Sequence, residues 1–201
     1  MNMRFAFVLF KYFPFGGLQR DFSRIAEALI DLGHEVDAYC IIWDGPMPKN
    51  INVHIAPIKA FSNHQRNASF ATWLNKTFQE QHYDAVVGFN KISGLDVYYA
   101  ADPCYQDKAL TLRHPLYRLG SRYKQFYKQE KSVFSTKNTT EILMISEVQK
   151  SIFQKNYHTP EARFHLLTPG SREDRKATKN SGEVRLTFRK EWNIEDNQQL
   201  I

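Results

Sequence analysis

Residues 7–21 read FVLFKYFPFGGLQRD, and the order of residue types in this segment indicates how the chain begins to fold. The apolar and aromatic run over residues 4–10 is typical of a strand that is buried on both faces of a parallel sheet. Gly16 and Gly17 then allow the backbone to turn tightly and to come close to a ligand. The amphipathic segment that follows predicts a helix whose free N–H groups and dipole favour an anion. The stretch therefore predicts a strand, a glycine loop and a helix.

A strand-to-helix turn without any ligand is the alternative interpretation of the glycine pair. The three spaced glycines of a dinucleotide-binding fingerprint are absent, and no phosphate-loop Gly-Lys-Ser/Thr follows. These absences count against a nucleotide-dependent oxidoreductase, as does the lack of an acidic residue at the end of the second predicted strand. The glycine pair by itself leaves both interpretations open.

The segment LGHEVDAYCI, residues 32–41, ends the predicted helix at Gly33 and leads into a second strand over residues 35–42. A strand, a helix and a second strand in this order form a right-handed crossover. Apolar patterns predict further strands over residues 51–56, 85–89, 96–101, 141–145 and 164–167, and helices over residues 66–81, 115–134 and 147–157. The alternation predicts an α/β fold with a doubly wound, mainly parallel sheet.

Several segments resemble one enzyme family along nearly the whole chain. They are KYFPFGGLQRD, the GHEV turn, NHQRNA, VVGFNK, GLDVYYAAD and LYRL followed by RY. Together they resemble the acceptor-side domain of retaining GT-B glycosyltransferases of family 4, and within it the lipopolysaccharide core glucosyltransferases. The resemblance implies a Rossmann-like domain that forms the N-terminal half of such an enzyme. It also implies transfer of glucose from the donor UDP-glucose to an inner-core heptose with retention, without a metal or other cofactor.

The end of the chain predicts a domain boundary. We expect an acceptor-side domain over residues 1–170, and a linker with the start of a donor-binding domain over residues 171–201. LLTPGS, residues 166–171, resembles the family's turn ahead of that linker. After Ser181, the pattern GEVRLTFRKEWNI predicts a short basic helix, and Leu200 and Ile201 look like the first residues of a strand. The family's donor-side Arg-Lys pair and Glu-x7-Glu motif are not found, so we expect a truncated chain that is inactive alone. A frayed terminus on a complete domain is the alternative.

Composition fits one soluble domain. The 201 residues are 42% hydrophobic, which is enough for a full core. No signal peptide or membrane span is evident, which predicts a cytoplasmic protein. Cys40 and Cys104 lie in unrelated contexts and are expected to be buried thiols. No histidine pair has metal-ligand spacing, which agrees with a metal-independent transferase.

Most of the positive charge lies in residues 105–134. This segment contains seven lysines and arginines and two acidic residues, a net charge of +5, and the net charge of the whole chain is +6. The segment predicts one basic amphipathic helix with aromatic residues, which can lie on an anionic membrane. The residues predicted to contact the membrane are Arg118, Arg122, Tyr123, Lys124, Tyr127 and Lys128. A core helix with a solvated basic face is the alternative, and nucleic acid is disfavoured because no known binding motif accompanies the charge.

Two acids are the candidate catalytic residues. Asp21 lies one turn into the first helix, where its carboxylate can meet a sugar hydroxyl or simply complement the helix dipole. The resemblance favours the functional role, because the family has an acidic residue there. Asp102 follows a predicted strand, and the crevice of an open α/β sheet lies beyond such strand ends. An Asp before Pro103 is also a common turn residue, which is the alternative. Many family members have a histidine near this position, so the identity of an acid or base group stays open.

Six residues are predicted to bind the donor or the acceptor: Gly16, Gly17, Lys11, Arg66, Asn90 and Lys91. The resemblance implies that the two glycines donate N–H groups towards the donor diphosphate or the acceptor. Asn90 and Lys91 follow a predicted strand and are candidates on topology. Arg66 can bind an acceptor phosphate, or its cluster with Asn63 and His64 can serve only to cap a helix. Lys11 can pair with a phosphate or stay solvated.

The resemblance implies three partners: a nucleotide sugar, a lipid-anchored saccharide acceptor and the anionic inner-membrane surface. Because the acceptor is anchored at the cytoplasmic leaflet, we expect a cytoplasmic protein that is peripheral to the cytoplasmic face of the inner membrane. A competing hypothesis is a non-catalytic membrane-docking or interaction module that keeps the fold and the basic segment.

Overall fold

The computed structural model describes residues 2–167, 180–195 and 198. The chain divides into two compact units, residues 1–167 and residues 168–201. The described part of the first unit contains nine strands, β1 (Arg4–Val8), β2 (Lys11–Tyr12), β3 (Glu35–Cys40), β4 (Ile42–Trp43), β5 (Asn52–Ile55), β6 (Ala85–Gly88), β7 (Val97–Ala100), β8 (Glu141–Met144) and β9 (Phe164–Leu166). Its helices are α1 (Gly17–Asp31), α2 (Asn63–Glu80), α3 (Tyr105–Thr111), α4 (Ser121–Phe134) and α5 (Glu147–Tyr157), with 3-10 turns at Pro115–Leu119 and Glu161–Arg163.

The main sheet is parallel throughout. Within the described residues its strand order is β5-β3-β1-β6-β7-β8-β9, which places β1 at the centre and extends the sheet to both sides. One face packs on α1 through Phe22 and Ala26, and the opposite face packs on α2, α4 and α5. The central strand is buried on both faces, because Ala6 and Val8 enter one cluster while Phe7 and Leu9 enter the other. The predicted doubly wound α/β fold is confirmed.

The predicted elements agree with the structure except in the basic segment. Helix α5 begins and ends where it is predicted, and α1 ends at Asp31, two residues before Gly33, whose φ of +86° suits a residue without a Cβ. The single helix predicted over residues 115–134 is wrong. Gly120 has extended angles (φ −70°, ψ 148°), so a 3-10 turn ends before it and α4 begins after it. Glycine has low helix propensity and favours such a break.

Three short elements were not predicted. Strands β2 and β4 are two residues long and pair with each other in a separate ribbon, and α3 has seven residues. Their patterns are too short to show a period. In the second unit the predicted basic helix is present as α6 (Ser181–Glu191). The predicted turn at residues 168–171 and the strand start at Leu200 and Ile201 lie outside the described residues.

A polar cluster joins four strands at the amino-terminal edge of the main sheet. Asp37 on β3 is 1% exposed and forms an ion pair with Arg4 on β1. Its carboxylate also accepts hydrogen bonds from Asn52 on β5 (2.9 Å) and from the Tyr83 hydroxyl just before β6 (2.6 Å). Burial raises the Asp37 pKa, but these three donors outweigh it and leave the pKa below its usual value.

Candidate functional site

A crevice lies beyond the carboxyl ends of the central strands. Its first part, the crevice cavity, has a volume of about 340 Å³. Its lining comes from the ends of β1, β6 and β7 and from α2, α3 and α4, and consists of Phe10, Asn67, Asn90, Lys91, Asp102, Pro103, Tyr105, Lys108, Phe126 and Gln129. Three predicted site residues, Asn90, Lys91 and Asp102, therefore line one cavity. This is the position where open α/β sheets bind ligands.

A second cavity of about 330 Å³ adjoins the first and shares Phe10, Asn67 and Phe126 with it. It is lined by two more of the predicted residues, Lys11 and Arg66. Lys11 lies 3.6 Å from the exposed carboxylate of Asp44, a contact that solvent weakens. The guanidinium of Arg66 donates to the Asn63 side-chain oxygen at 2.5 Å. The described lining of this part of the crevice thus carries two cations and no acidic side chain.

Lys91 has a structural partner that sequence reasoning missed. Its ammonium lies 2.5 Å from a carboxylate oxygen of Glu130, which is fully buried in α4, and it also donates to the Pro103 carbonyl at 2.8 Å. The prediction that Lys91 binds the donor or the acceptor, which rested on its position after a strand, stays a prediction. The Lys91 charge is neutralised internally, and the contact ties the loop after β6 to the loop after β7.

Glu130 holds several further groups. It accepts hydrogen bonds from the backbone N–H groups of Tyr105 (2.7 Å) and Gln106 (2.9 Å), and so satisfies the start of α3. It also accepts from the Tyr157 hydroxyl at 2.7 Å. Burial and the neighbouring Glu130 raise the pKa of the Cys104 thiol to about 12. The buried Glu130 carboxylate thus holds Tyr157 together with Lys91 and the start of α3, which form the floor of the crevice cavity.

The glycine loop lies at the start of α1. An added Cβ at Gly16 would meet the Gln19 side-chain oxygen at 1.8 Å and the Phe13 ring at 2.8 Å. Gln19 is buried there and donates to the Lys11 carbonyl at 2.9 Å, so the protein's own side chain occupies the space over Gly16. At Gly17 no atom lies within 4 Å of such a Cβ. Of the two glycines, Gly17 is the one with open space in front of it.

Asp21 is not among the residues that line the crevice cavity or its neighbour. Its carboxylate accepts a hydrogen bond from the Tyr99 hydroxyl at 2.9 Å. Burial and this hydrogen bond raise the Tyr99 pKa to about 12, so the phenol stays a proton donor at neutral pH. Asp21 lies beyond the first turn of α1, and the structure places it with β7 rather than with Asp102.

Several residues that line the cavity were not predicted from the sequence, and they lie on α2, α3 and α4. Asn67 lies one residue after Arg66 in α2, and Gln129 is buried beside Glu130 in α4. The four-residue spacing of Asn63 and Asn67 was a signal that both lie on one helix face. Aromatic rings and amide or carboxylate groups together suit a sugar, because rings pack on its C–H face and polar groups bind its hydroxyls. Asp102, exposed at the rim, can orient or deprotonate a hydroxyl.

The basic segment has a different outer surface from the predicted one. Tyr123 is 8% exposed and donates to Gln106 at 2.6 Å, so it packs inward. The predicted membrane cations Arg118, Arg122, Lys124 and Lys128 are exposed, and Tyr127 is half-buried. Beside them lies a group of exposed leucines, Leu110, Leu112, Leu116 and Leu119. We call these four the leucine patch.

Two features are absent from the described residues. No helix there has the length and apolarity needed to cross a bilayer. No cluster of three or more His, Cys, Asp or Glu side chains is placed to hold a metal ion in that part of the chain. Cys40 and Cys104 are free and buried, as predicted.

The chain belongs to glycosyltransferase family 4. The sequence profile of "Glycosyltransferase Family 4" matches residues 15–175. This confirms the family resemblance that the glycine loop and the later motifs carry.

Within that family the chain is similar to "Lipopolysaccharide glucosyltransferase WaaG" of Escherichia coli (strain K12), with 42% identity over 196 residues, 98% of this chain and 52% of that protein. It is 24% identical over 217 residues to an uncharacterized glycosyltransferase of Methanocaldococcus jannaschii, covering 99% of this chain and 54% of that protein. The chain therefore spans about half the length of the curated relatives it matches.

One solved structure agrees with this assignment, and a second matches in fold. A crystal structure of WaaG, described as a glycosyltransferase involved in lipopolysaccharide biosynthesis, matches with a TM-score of 0.90 and 42% identity, covering 97% of this chain and 53% of that chain. A glycosyltransferase from Rickettsia africae ESF-5 matches with a TM-score of 0.57 and 12% identity, covering 98% and 51%. The second match concerns the fold alone.

Proposed function

We propose that this chain supplies the acceptor-side half of a retaining glycosyltransferase of lipopolysaccharide core biosynthesis. The donor is UDP-glucose, the acceptor is an inner-core heptose, and no metal ion takes part. The observation that carries the proposal is a cavity at the carboxyl ends of β1, β6 and β7, in a chain 42% identical to the E. coli glucosyltransferase over 98% of its own length. The family and the position of the cavity both support a role in binding a substrate of sugar transfer.

The proposed reaction forms a bond from an acceptor hydroxyl oxygen to the anomeric carbon of glucose. The bond from that carbon to the diphosphate oxygen breaks, UDP leaves, and the hydroxyl proton passes to the leaving phosphate on the same face. The chain's own residues hold the acceptor: Asn67, Asn90 and Gln129 offer amide groups, and Asp102 orients the hydroxyl. Lys11 and Arg66 in the adjoining cavity attract an acceptor phosphate.

A chimera tests this proposal. Residues 1–201 are joined to the part of E. coli WaaG that this chain does not span, and the product is given UDP-glucose and a heptose-terminated core acceptor. We expect glucose transfer by the chimera, and none by residues 1–201 alone. Asp102→Asn in the chimera should lower transfer, while Glu80→Gln, an exposed change at the end of α2, serves as the matched control. A folded chimera that binds no core saccharide would contradict the proposal.

We further propose peripheral association with the cytoplasmic face of the inner membrane, through the leucine patch and the exposed cations beside it. Exposed leucines at the end of α3 and on the 3-10 turn after it can enter the headgroup region, and each nearby cation contributes on the order of 1 kcal/mol on an anionic surface. Lys108 lines the crevice cavity two residues before Leu110, so docking there brings the acceptor site close to the membrane. The same surface supports the second candidate function, a non-catalytic membrane-docking module.

Vesicle co-sedimentation separates the two parts of this surface. Replacing Arg118, Arg122, Lys124 and Lys128 by Glu should abolish binding to anionic vesicles, and Leu112→Ser with Leu116→Ser should weaken it at unchanged charge. Both sets are exposed, so circular dichroism should stay unchanged. Vesicle binding without any acceptor binding would favour the docking module over the transferase, and unchanged binding by both variants would exclude this surface.

A further inference from the structure

A cavity of about 320 Å³ lies outside the crevice, between α1 and the segment from β4 to the start of β5. It shares no lining residue with either part of the crevice. Its walls include an aromatic pair on one side and polar side chains of α1 and the β4–β5 loop on the other: Tyr12, Trp43, Ser23, Glu27, Asp31 and Asn50. A volume of this size lies at the lower end of the range for small-ligand sites.

The aromatic wall is held rigidly. Tyr12 on β2 and Trp43 on β4 are register partners in the two-residue ribbon, and their rings stack at 3.9 Å with an interplanar angle of 7°. The Phe22 ring from α1 stands edge-on to both rings. The Trp43 indole N–H donates to the Pro46 carbonyl at 3.2 Å, which fixes the ring further. Because the two rings cover each other's inner faces, a ligand can pack only on an outer face of the pair, which is flat and apolar and is held in place at low entropic cost.

The polar wall is acidic. Glu27 and Asp31 are four residues apart on the exposed side of α1, an arrangement of like charges that disfavours the helix. No salt bridge between described residues uses either carboxylate. Ionised carboxylates only accept hydrogen bonds, so they suit ligands rich in hydroxyl donors. Two acids against the single cation Lys49 disfavour a phosphate-bearing ligand.

We propose that this cavity binds a phosphate-free sugar residue, with the C–H face of the ring on the Tyr12–Trp43 pair and its hydroxyls on Glu27, Asp31 and Asn50. Such a site is separate from the crevice in which transfer is proposed. It would hold a sugar unit of a saccharide that the protein binds, independently of any donor. The proposal goes beyond the transferase function, since binding of a free sugar involves neither UDP-glucose nor turnover.

Saturation-transfer NMR on the 201-residue chain tests this site, with methyl glucoside and methyl heptoside as probes and UMP as the phosphate-bearing comparison. We expect transfer from aromatic protons to the neutral sugars, and binding at least about tenfold weaker for Glu27→Gln with Asp31→Asn. Asn50→Ala should also weaken binding, and Glu80→Gln on α2 should not. Both probes are run again with Asn67→Ala, which alters the crevice alone.

The outcomes separate the two sites. Sugar binding that survives Asn67→Ala but is lost in the Glu27 and Asp31 variant supports the second site, whatever the chimera shows about transfer. Sugar binding that disappears with Asn67→Ala and is unaffected by the α1 changes overturns it. The proposal also fails if UMP is the only probe that binds, or if none of the sugars receives saturation.

Discussion

Glu130 shows how much of the crevice depends on one residue. The sequence places it in a segment dominated by positive charge, where an isolated acid reads as part of a solvated face. In the structure it is fully buried, and it contacts Lys91, the start of α3 and Tyr157. The residues that hold the cavity floor come from three separate elements, so no local pattern could have predicted their contact.

Glu130→Gln should lower the free energy of unfolding by about 3 kcal/mol, because it leaves the Lys91 ammonium buried without its counter-charge. Urea denaturation measures this loss. The matched control is Glu141→Gln, which removes the exposed contact with His165 and should cost less than about 1 kcal/mol. Equal losses in the two variants would show that burial of the Lys91 pair does not matter.

Among the elements, those with long and regular patterns agree with prediction. The β1–α1–β3 crossover and α5 follow from apolar periodicity and from Gly33, which lies two residues after the end of α1. The ribbon of β2 and β4 depends on ring stacking between residues thirty-one positions apart, which no window of sequence shows. Asn90 and Asp102 could be predicted as site residues because each follows a predicted strand directly. The cavity residues from α3 and α4 could not be predicted, because they reach the cavity only through contacts between distant parts of the chain.

The start of α1 gives a contrast between two adjacent glycines. Gly17→Ala should stabilise the protein by about 0.5–1 kcal/mol, since alanine loses less backbone entropy in a helix and meets no atom there. Gly16→Ala should destabilise it by about 1–3 kcal/mol, because the new methyl group displaces Gln19 and Phe13. Thermal unfolding followed by circular dichroism gives both values.

Saccharide binding by the same glycine variants can be measured alongside their stability. If a ligand approaches the backbone at Gly17, the Gly17→Ala protein should be more stable yet bind the core saccharide more weakly. Adding Gln19→Ala to Gly16→Ala should recover part of the lost stability. A Gly16→Ala protein as stable as the wild type would contradict the close packing of Gln19.

In the first unit as a whole, one edge of the sheet forms the candidate site and the opposite edge contributes to stability. The carboxyl-terminal edge carries the crevice, and the amino-terminal edge carries the Asp37 cluster that joins β1, β3, β5 and the residue before β6. The strands separate these edges by their full length. Changes at the Asp37 cluster should therefore alter stability without altering what the crevice binds.

Asp37→Asn tests this separation. The folded protein holds the Asp37 pKa below its usual value, so the contribution to stability is present above about pH 4 and is lost as the pH falls through the lowered pKa. We expect a loss of roughly 2–3 kcal/mol near neutral pH, and a smaller difference from the wild type in acid. Urea midpoints at both pH values measure it. A difference that grows in acid would reverse the assignment.

The two thiols lie in different layers of the core. Cys40 belongs to the cluster under α1, and Cys104 to the cluster under α2, α4 and α5. Burial raises the pKa of each thiol to about 12, so neither is a nucleophile in the closed protein at neutral pH. Alkylation of either cysteine therefore requires that its own layer open first. The rate at which each cysteine reacts with iodoacetamide would therefore report how often its own side of the sheet opens.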